Sequence, residues 1–232
     1  MFGNPLLMQR RPLVEPSSSS VKLLIAPPVG ATSVLDYSAS AHVLTPIGEM
    51  VLSNAVADPW GGARKVIAMD GAAGAGYSLS DHDDFTLPDV FTLETWVYFT
   101  SASNHALLLK WHATNDALRE HLLLATETNV IWYYRSYSNA APMLSAAAPA
   151  VGSWVLITLV RNGSSWTMYY GDTPVSTCTF SGSSSNTAQE IQIGRFPVSV
   201  YSLKGYLGAM RLTNGVAREP SQFMLSSAPS TS

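Results

Sequence analysis

Apolar and polar residues alternate with a period of two along most of the chain, and the alternation is clearest over residues 91–99. There Phe91, Leu93, Thr95, Val97 and Phe99 fall on one face of an extended chain, and Thr92, Glu94, Trp96 and Tyr98 on the other. A pleated strand imposes this spacing, because successive side chains point to opposite faces. Shorter runs predict strands over residues 21–26, 49–53, 64–70, 77–80, 105–112, 119–126, 129–136, 154–161, 166–170, 175–180, 190–194 and 204–213. Helical periodicity is weak, and Gly, Pro, Ser and Asn interrupt the chain at the short intervals that strand-to-strand turns require. Residues 71–76, all Gly or Ala, predict a turn. Asn162-Gly163 supplies the positive φ of a tight hairpin. Many short, evenly spaced strands predict an all-β fold, a two-sheet antiparallel β-sandwich of the jelly-roll kind.

The two ends break the pattern. Residues 1–20 carry Pro5, Pro12 and Pro16 and then four consecutive serines. Proline removes backbone donors and biases the residue before it to extended geometry, so the segment predicts an extended N-terminal arm. Phe2, Leu6, Leu7 and Met8, with Arg10 and Arg11, are too rich in apolar surface for a pure linker. They are the candidates for docking on a partner; a loose tail is the plainer alternative. Residues 225–232 read as a polar C-terminal tail, which leaves 21–224 for the sandwich.

Composition then narrows the function classes. Charged residues make up 12% of the chain, about half of the roughly 25% usual for a soluble domain. So sparse a charge implies a surface covered by small polar residues, or one that faces other protein. Thirteen basic and 16 acidic residues leave a net charge of −3, not the basic footprint of a nucleic-acid binder. No segment reaches the roughly 18 apolar residues of a membrane span. Arg10-Arg11 interrupts the first apolar stretch, so the start does not read as a secretory signal. Cys178 is the single cysteine and sits in a strand-like run; a lone thiol there reads as a small buried hydrophobe. Without disulfides the chain suits a reducing cytoplasm.

Four stretches, in order, resemble the laminin-G-like (jelly-roll) domains of the concanavalin A-like superfamily, especially the versions found on bacteriophage particles. They are Leu23-Leu24 with Gly30, Thr32, Asp36 and Ser38; Met69-Asp-Gly71 and Tyr77-Ser-Leu79 followed by Phe91-Thr-Leu-Glu-Thr-Trp-Val-Tyr98; the segment 154–170; and Gly205-Tyr-Leu-Gly-Ala-Met-Arg-Leu-Thr-Asn-Gly-Val-Ala-Arg218. Together they cover residues 21–224. The chain departs from the family at Ala26-Pro27-Pro28, where Phe-Asp-Gly is common, and at Gly208-Ala209, where relatives often carry an acidic pair. Some members bind calcium through loop carboxylates, and these losses argue against it here.

Candidate chemistry is thin. Sandwich glycosidases need two carboxylates about 5–5.5 Å apart for retaining chemistry, and Glu94 stands alone on its strand, where it reads as a framework residue. Asp81, Asp83 and Asp84 form the densest acidic cluster. They offer calcium several oxygens from one loop, and read equally as a solvated turn. The histidines at 42, 82, 105, 112 and 121 show no H-x-x-x-H spacing, and no cysteine pair supplies zinc, so they read as structural. Trp96, Trp132, Trp154 and Trp166 lie in strands and read as core. Trp60, Trp111, Tyr137 and Tyr201 fall near loops or strand ends. These four are the candidates for stacking on a sugar, or else for rim packing.

The resemblance and the arm together imply a non-enzymatic virion protein, a capsid decoration or tail and fibre subunit. Such a protein is made in the host cytoplasm, anchored through residues 1–20 to capsid or tail proteins, and forms homo-oligomers. The alternative is a lectin that recognises surface polysaccharide. Neither reading calls for a cofactor, nucleic acid or a membrane.

Overall fold

The computed structural model describes residues 18–112, 114–134, 143–197 and 201–224. Its strands are β1 (Val21–Ile25), β2 (Thr45–Ile47), β3 (Met50–Ser53), β4 (Val66–Asp70), β5 (Gly76–Leu79), β6 (Val90–Phe99), β7 (His105–Lys110) and β8 (His121–Ala125). They continue as β9 (Asn129–Tyr134), β10 (Leu144–Ala147), β11 (Trp154–Asn162), β12 (Ser165–Tyr170), β13 (Thr173–Thr179), β14 (Ile191–Ile193) and β15 (Lys204–Asn214). Helical structure among the described residues is limited to single 3-10 turns such as Asp83–Phe85 and Pro220–Gln222, and no helix is long and apolar enough to cross a membrane.

Two antiparallel sheets form a sandwich, as the alternation predicts. The larger runs β13-β12-β11-β6-β15-β4-β3, with β1 pairing the far half of β15. The smaller runs β10-β9-β8-β7-β14-β5-β2. Apolar faces of both sheets meet between them: Phe91, Leu93, Val97 and Phe99 of β6, Leu123 of β8, Trp132 of β9, Trp166 of β12 and Ile191 and Ile193 of β14 share one cluster. Phe91 and Trp166 meet edge to face at 5.6 Å, the geometry favoured by ring quadrupoles. Each such side chain contributes about 1.5–3 kcal/mol on leaving water.

Two strands escape the pattern, and both are edges of the smaller sheet. β2 contains Pro46, which a strand tolerates only where its missing donor is not needed by a neighbour. β10 is Leu-Ser-Ala-Ala, with little strand propensity of its own; pairing with β9 gives it order.

The larger departure is the second face of β6. Alternation places Thr92, Glu94 and Trp96 away from the inter-sheet core, yet Glu94 has no solvent exposure. The end of the described chain folds back across this face. Glu94 pairs with Arg211 Nε at 2.6 Å and lies 3.7 Å from Arg218 Nε, and it accepts the Met224 N–H at 2.8 Å. The indoles of Trp96 and Trp60 both donate to the Met224 carbonyl. Phe223 and Met224 are thereby packed with Leu24, Leu156 and Ala209 in a second cluster. Close strand approach is enforced at one end by Gly205, whose φ is +151° and where a Cβ would lie 2.0 Å from the Tyr98 carbonyl oxygen.

A testable consequence follows from the enclosure of Glu94. Replacing it with Ala removes the anion that neutralises Arg211 and the acceptor that holds Met224. Urea denaturation is expected to show a loss of about 3–5 kcal/mol, the usual cost of breaking a buried ion pair. Glu94→Gln, which keeps shape and acceptor, is expected to lose less.

Candidate functional site

The outer face of the smaller sheet is built by the same alternation that fills the core. β8 and β9 send Leu123, Ala125, Val130 and Trp132 inward, which leaves Leu122, Leu124, Ile131 and Tyr133 pointing out. An irregularity between Ala106 and Leu108 of β7 turns both Leu107 and Leu108 to the core and Ala106 and Leu109 to the outer face. Ala106, Leu109, Leu122 and Leu124 form a buried floor, with Trp111, Tyr133, Phe196 and Tyr201 half-buried on it. Trp111 and Tyr133 lie 5.9 Å apart, Phe196 and Tyr201 6.3 Å apart, and the Arg119 guanidinium sits 5.0 Å over the Trp111 ring.

Beside the aromatics lies a fixed polar network. Gln192 Nε2 donates to Ser78 Oγ at 3.1 Å and to Glu190 Oε2 at 3.0 Å, and Ser78 Oγ donates to the same carboxylate oxygen at 2.6 Å. Gln192 Oε1 accepts from Arg195 Nη1, and Arg195 Nε donates to the Gly74 carbonyl, both at 2.6 Å. Burial lowers the Arg195 pKa from its ordinary value, against the opposing charge of Glu190. Glu190 itself stays exposed. A groove of about 420 Å³ elsewhere, along β3, β4 and β15, lacks such a network among its lining residues. The groove between Trp111, Phe196, Gln189, Glu190 and Gln192 holds about 340 Å³. Flat ring faces next to preorganised donors and acceptors suit a ligand that is apolar on one side and hydroxylated on its rim.

Behind the groove, a buried charge cluster anchors its wall. Lys110 Nζ lies 3.0 Å from Glu120 Oε1 and 2.8 Å from Asp81 Oδ1. Glu120 also accepts from the Thr187 backbone and hydroxyl and from Ser184 Oγ, which pins the segment running into Gln189 and Glu190. His121, next to Glu120, is buried and stacked on Trp132 at 5.5 Å.

Sequence candidates are distributed unevenly over this geometry. Trp111 and Tyr201 both lie on the outer face of the smaller sheet; Tyr201 also borders a hollow of about 180 Å³ with Ser103, Asn104 and Lys204. Trp60 does not join them: it packs against Trp96, 6.3 Å away on the larger sheet, and serves the C-terminal clamp. Tyr137 and the arm residues Phe2, Leu6, Leu7, Met8, Arg10 and Arg11 lie outside the described residues. Trp132 and Trp166 are core and Trp96 is clamp, whereas Trp154 is half-buried on the outer face against Tyr98. Cys178 is half-buried on edge strand β13, where burial raises its thiol pKa. Tyr133, Phe196, Glu190, Gln192 and Arg195 were not singled out by sequence. Only the outward phase of Tyr133 beside Trp132 signals any of them, since the pairing of β14 with β5 and β7 assembles the rest.

Asp81, Asp83 and Asp84 do not converge on one point: Asp81 is held by Lys110, Asp83 accepts from Asn186 Nδ2 at 2.9 Å, and Asp84 meets Lys22 at 3.1 Å. Calcium gathers six to eight oxygens around one centre, and these three carboxylates face different partners. Asp36 accepts from Leu24, Ser38 and His42 backbone N–H groups and organises its own loop. His42 and His82, 40 residues apart in sequence, come together at Asp84, and this is the group of three metal-ligand side chains found among the described residues. Burial alone would raise the Asp84 carboxyl, but the Ser40 hydrogen bond and the Lys22 charge outweigh it and hold the pKa below its usual value.

A laminin-G family model of the concanavalin A-like lectin/glucanases superfamily matches residues 70–222. Among solved structures, the fold resembles the botulinum neurotoxin serotype D binding domain, with TM-score 0.64 and 9% identity over 88% of this chain and 50% of that one. It resembles domain 4 of AbnA, a GH43 extracellular arabinanase from Geobacillus stearothermophilus in complex with arabinotriose, with TM-score 0.62 and 11% identity over 90% and 98% of the two chains. A serotype D ligand binding domain in complex with N-acetylneuraminic acid gives TM-score 0.63 and 9% identity, over 88% and 50%. The chain thus spans 50% of the toxin structures. At these identities the likeness is one of fold. No curated protein matches the sequence.

The anchoring cluster generates a pH prediction. Burial, followed by the charge of Lys110, lowers the His121 pKa from 6.5 to about 3 in the folded chain. The unfolded chain therefore binds a proton below 6.5 that the folded chain refuses. Stability is expected to fall as pH drops from 6.5 towards 3, by up to about 1.4 kcal/mol per unit from this group. Urea midpoints measured across that window are expected to slope less steeply in His121→Phe than in the wild type.

Proposed function

The chain belongs to the concanavalin A-like lectin/glucanase superfamily, and from that premise we propose that it is a carbohydrate-binding module whose ligand lies on the outer face of the smaller sheet. One observation carries the reading: Trp111 and Phe196, half-buried on the apolar floor that also carries Tyr133 and Tyr201, line one groove with Glu190 and Gln192 of the Glu190–Gln192–Arg195 network. A pyranose or furanose ring has a C–H face and a rim of hydroxyls. The rings of Trp111 and Phe196 take the C–H face, while Glu190 accepts from hydroxyls and Gln189 and Gln192 offer amide groups along the groove. Because Ser78, Gln192 and Arg195 already fix one another, little ordering entropy is lost when the ligand arrives. The resembled structures with arabinotriose and N-acetylneuraminic acid bound make a pentose oligomer and an acidic sugar the first probes.

The role is binding rather than bond cleavage. Glu94 is sealed beneath Met224 on the opposite sheet, away from this groove. The virion-subunit reading rests on the resemblance to phage versions and on the arm, which lies outside the described residues; the glycan reading stands on side chains of the sandwich itself.

A glycan array that includes arabinan oligomers and sialosides tests the proposal. The wild type is expected to bind a defined set of glycans. Trp111→Ala and Phe196→Ala are each expected to weaken binding at least about tenfold, or 1.4 kcal/mol, while Trp60→Ala leaves the affinity of the folded fraction unchanged. A blank array, or affinity undiminished by both groove variants, overturns the proposal.

A further inference from the structure

The connection between β1 and β2 and the turn before β6 place two imidazoles against one carboxylate. His42 Nε2 lies 3.2 Å and His82 Nδ1 3.5 Å from the same atom, Asp84 Oδ2. One ligand atom from each of the three residues falls within 4.8 Å of the others. Four ligands bound tetrahedrally at about 2.0–2.2 Å from zinc lie about 3.3–3.6 Å apart; both separations are close to that spacing, and the His42–Asp84 contact is a hydrogen bond whose proton an ion would replace. We propose that His42, His82 and Asp84 form a binding site for a single zinc-class divalent transition-metal ion, with water completing the coordination.

The surroundings hold this arrangement. His42 is packed at 4.7 Å against the buried ring of Phe85 and meets His82 edge to face at 4.9 Å. Its backbone N–H is fixed by Asp36 at 2.9 Å. Lys22 Nζ binds the other oxygen of Asp84, Oδ1, at 3.1 Å, which leaves Oδ2 facing the imidazoles. Ser40 Oγ donates to Oδ2 at 2.6 Å, as hydrogen-bond partners of ligating carboxylates do. The His82 side chain is 54% exposed, enough to turn either nitrogen to an ion; when Nδ1 is the ligand, the hydrogen bond it accepts from the Asp84 N–H at 3.1 Å yields.

Ligand chemistry sets the selectivity. Two of the three donors are imidazole nitrogens, which suit zinc, nickel and copper, whereas calcium takes oxygen. An ion here ties residue 42 to residues 82 and 84. The same turn holds Lys110 through Asp81 and Asn186 through Asp83, so the staple reaches the side of the sandwich that carries the groove. The inference is independent of the glycan reading, because neither the ligands nor the test involves a sugar.

Calorimetry and thermal melts of the full chain in zinc chloride and in calcium chloride decide it. The expected result is one zinc ion per chain and a higher melting temperature with excess zinc, since an ion that binds only the folded state stabilises it by mass action; calcium is expected to do neither. His82→Asn keeps a side chain that caps the 3-10 turn but offers no imidazole, and it is expected to weaken zinc binding at least about tenfold while the metal-free melting temperature stays at the wild-type value. His42→Gln with His82→Asn is expected to abolish binding. Absence of zinc binding, or zinc binding that survives the double variant, overturns the proposal.

Discussion

The charge on Glu94 is the constraint around which the larger sheet is organised. A carboxylate on the middle strand of that sheet, with no access to water, is tolerable only when cations and donors surround it. Arg211 of the adjacent strand supplies the first, Arg218 approaches from the segment beyond, and the Met224 N–H completes the set. The chain must return across the face to deliver that last donor. In returning it brings Phe223 and Met224 over Leu156 and Ala209, and it occupies the indole N–H groups of Trp96 and Trp60. A polar requirement at one atom thus covers an apolar surface.

This closure makes the two outer faces of the sandwich unequal. The larger sheet is sealed by the chain itself around Glu94, whereas the smaller sheet leaves Trp111, Tyr133, Phe196 and Tyr201 half-buried over an apolar floor. Loops on that side are held by charges below the surface. Lys110 and Glu120 neutralise each other in the interior, and Glu120 fastens the Thr187 segment that becomes the groove wall. The rings and the Glu190–Gln192–Arg195 network therefore stand on a rigid base, the condition under which weakly attractive sugar contacts add up.

Much of the architecture was legible in the chain. Period-two alternation marked the long central strand and most of its neighbours, and the Phe-Thr-Leu-Glu-Thr-Trp-Val run with the closing segment carried the resemblance to the superfamily. Edge strands β2 and β10 were not legible, because one carries proline and the other small residues, and each owes its order to a single neighbour. Of the aromatic candidates, Trp111 and Tyr201 reach the groove face. Trp60 does not, since an indole near a loop looks the same in sequence whether it meets solvent or a returning chain end. The three aspartates at 81, 83 and 84 are adjacent in sequence yet diverge in space, while His42 and His82, far apart in sequence, converge.

Sequence by itself determined the fold class and the two faces of the long strand 91–99, because these follow from side-chain alternation and local turn chemistry, both properties of neighbouring residues; the superfamily came from the resemblance of particular segments. Tertiary structure alone decided which outer face is sealed, which carboxylates and imidazoles meet, and where aromatic rings and polar groups join into one surface. Those outcomes depend on strand pairing between residues tens to over a hundred positions apart, as with Glu94 and Arg211 or Ser78 and Gln192. Local sequence carries no record of that pairing.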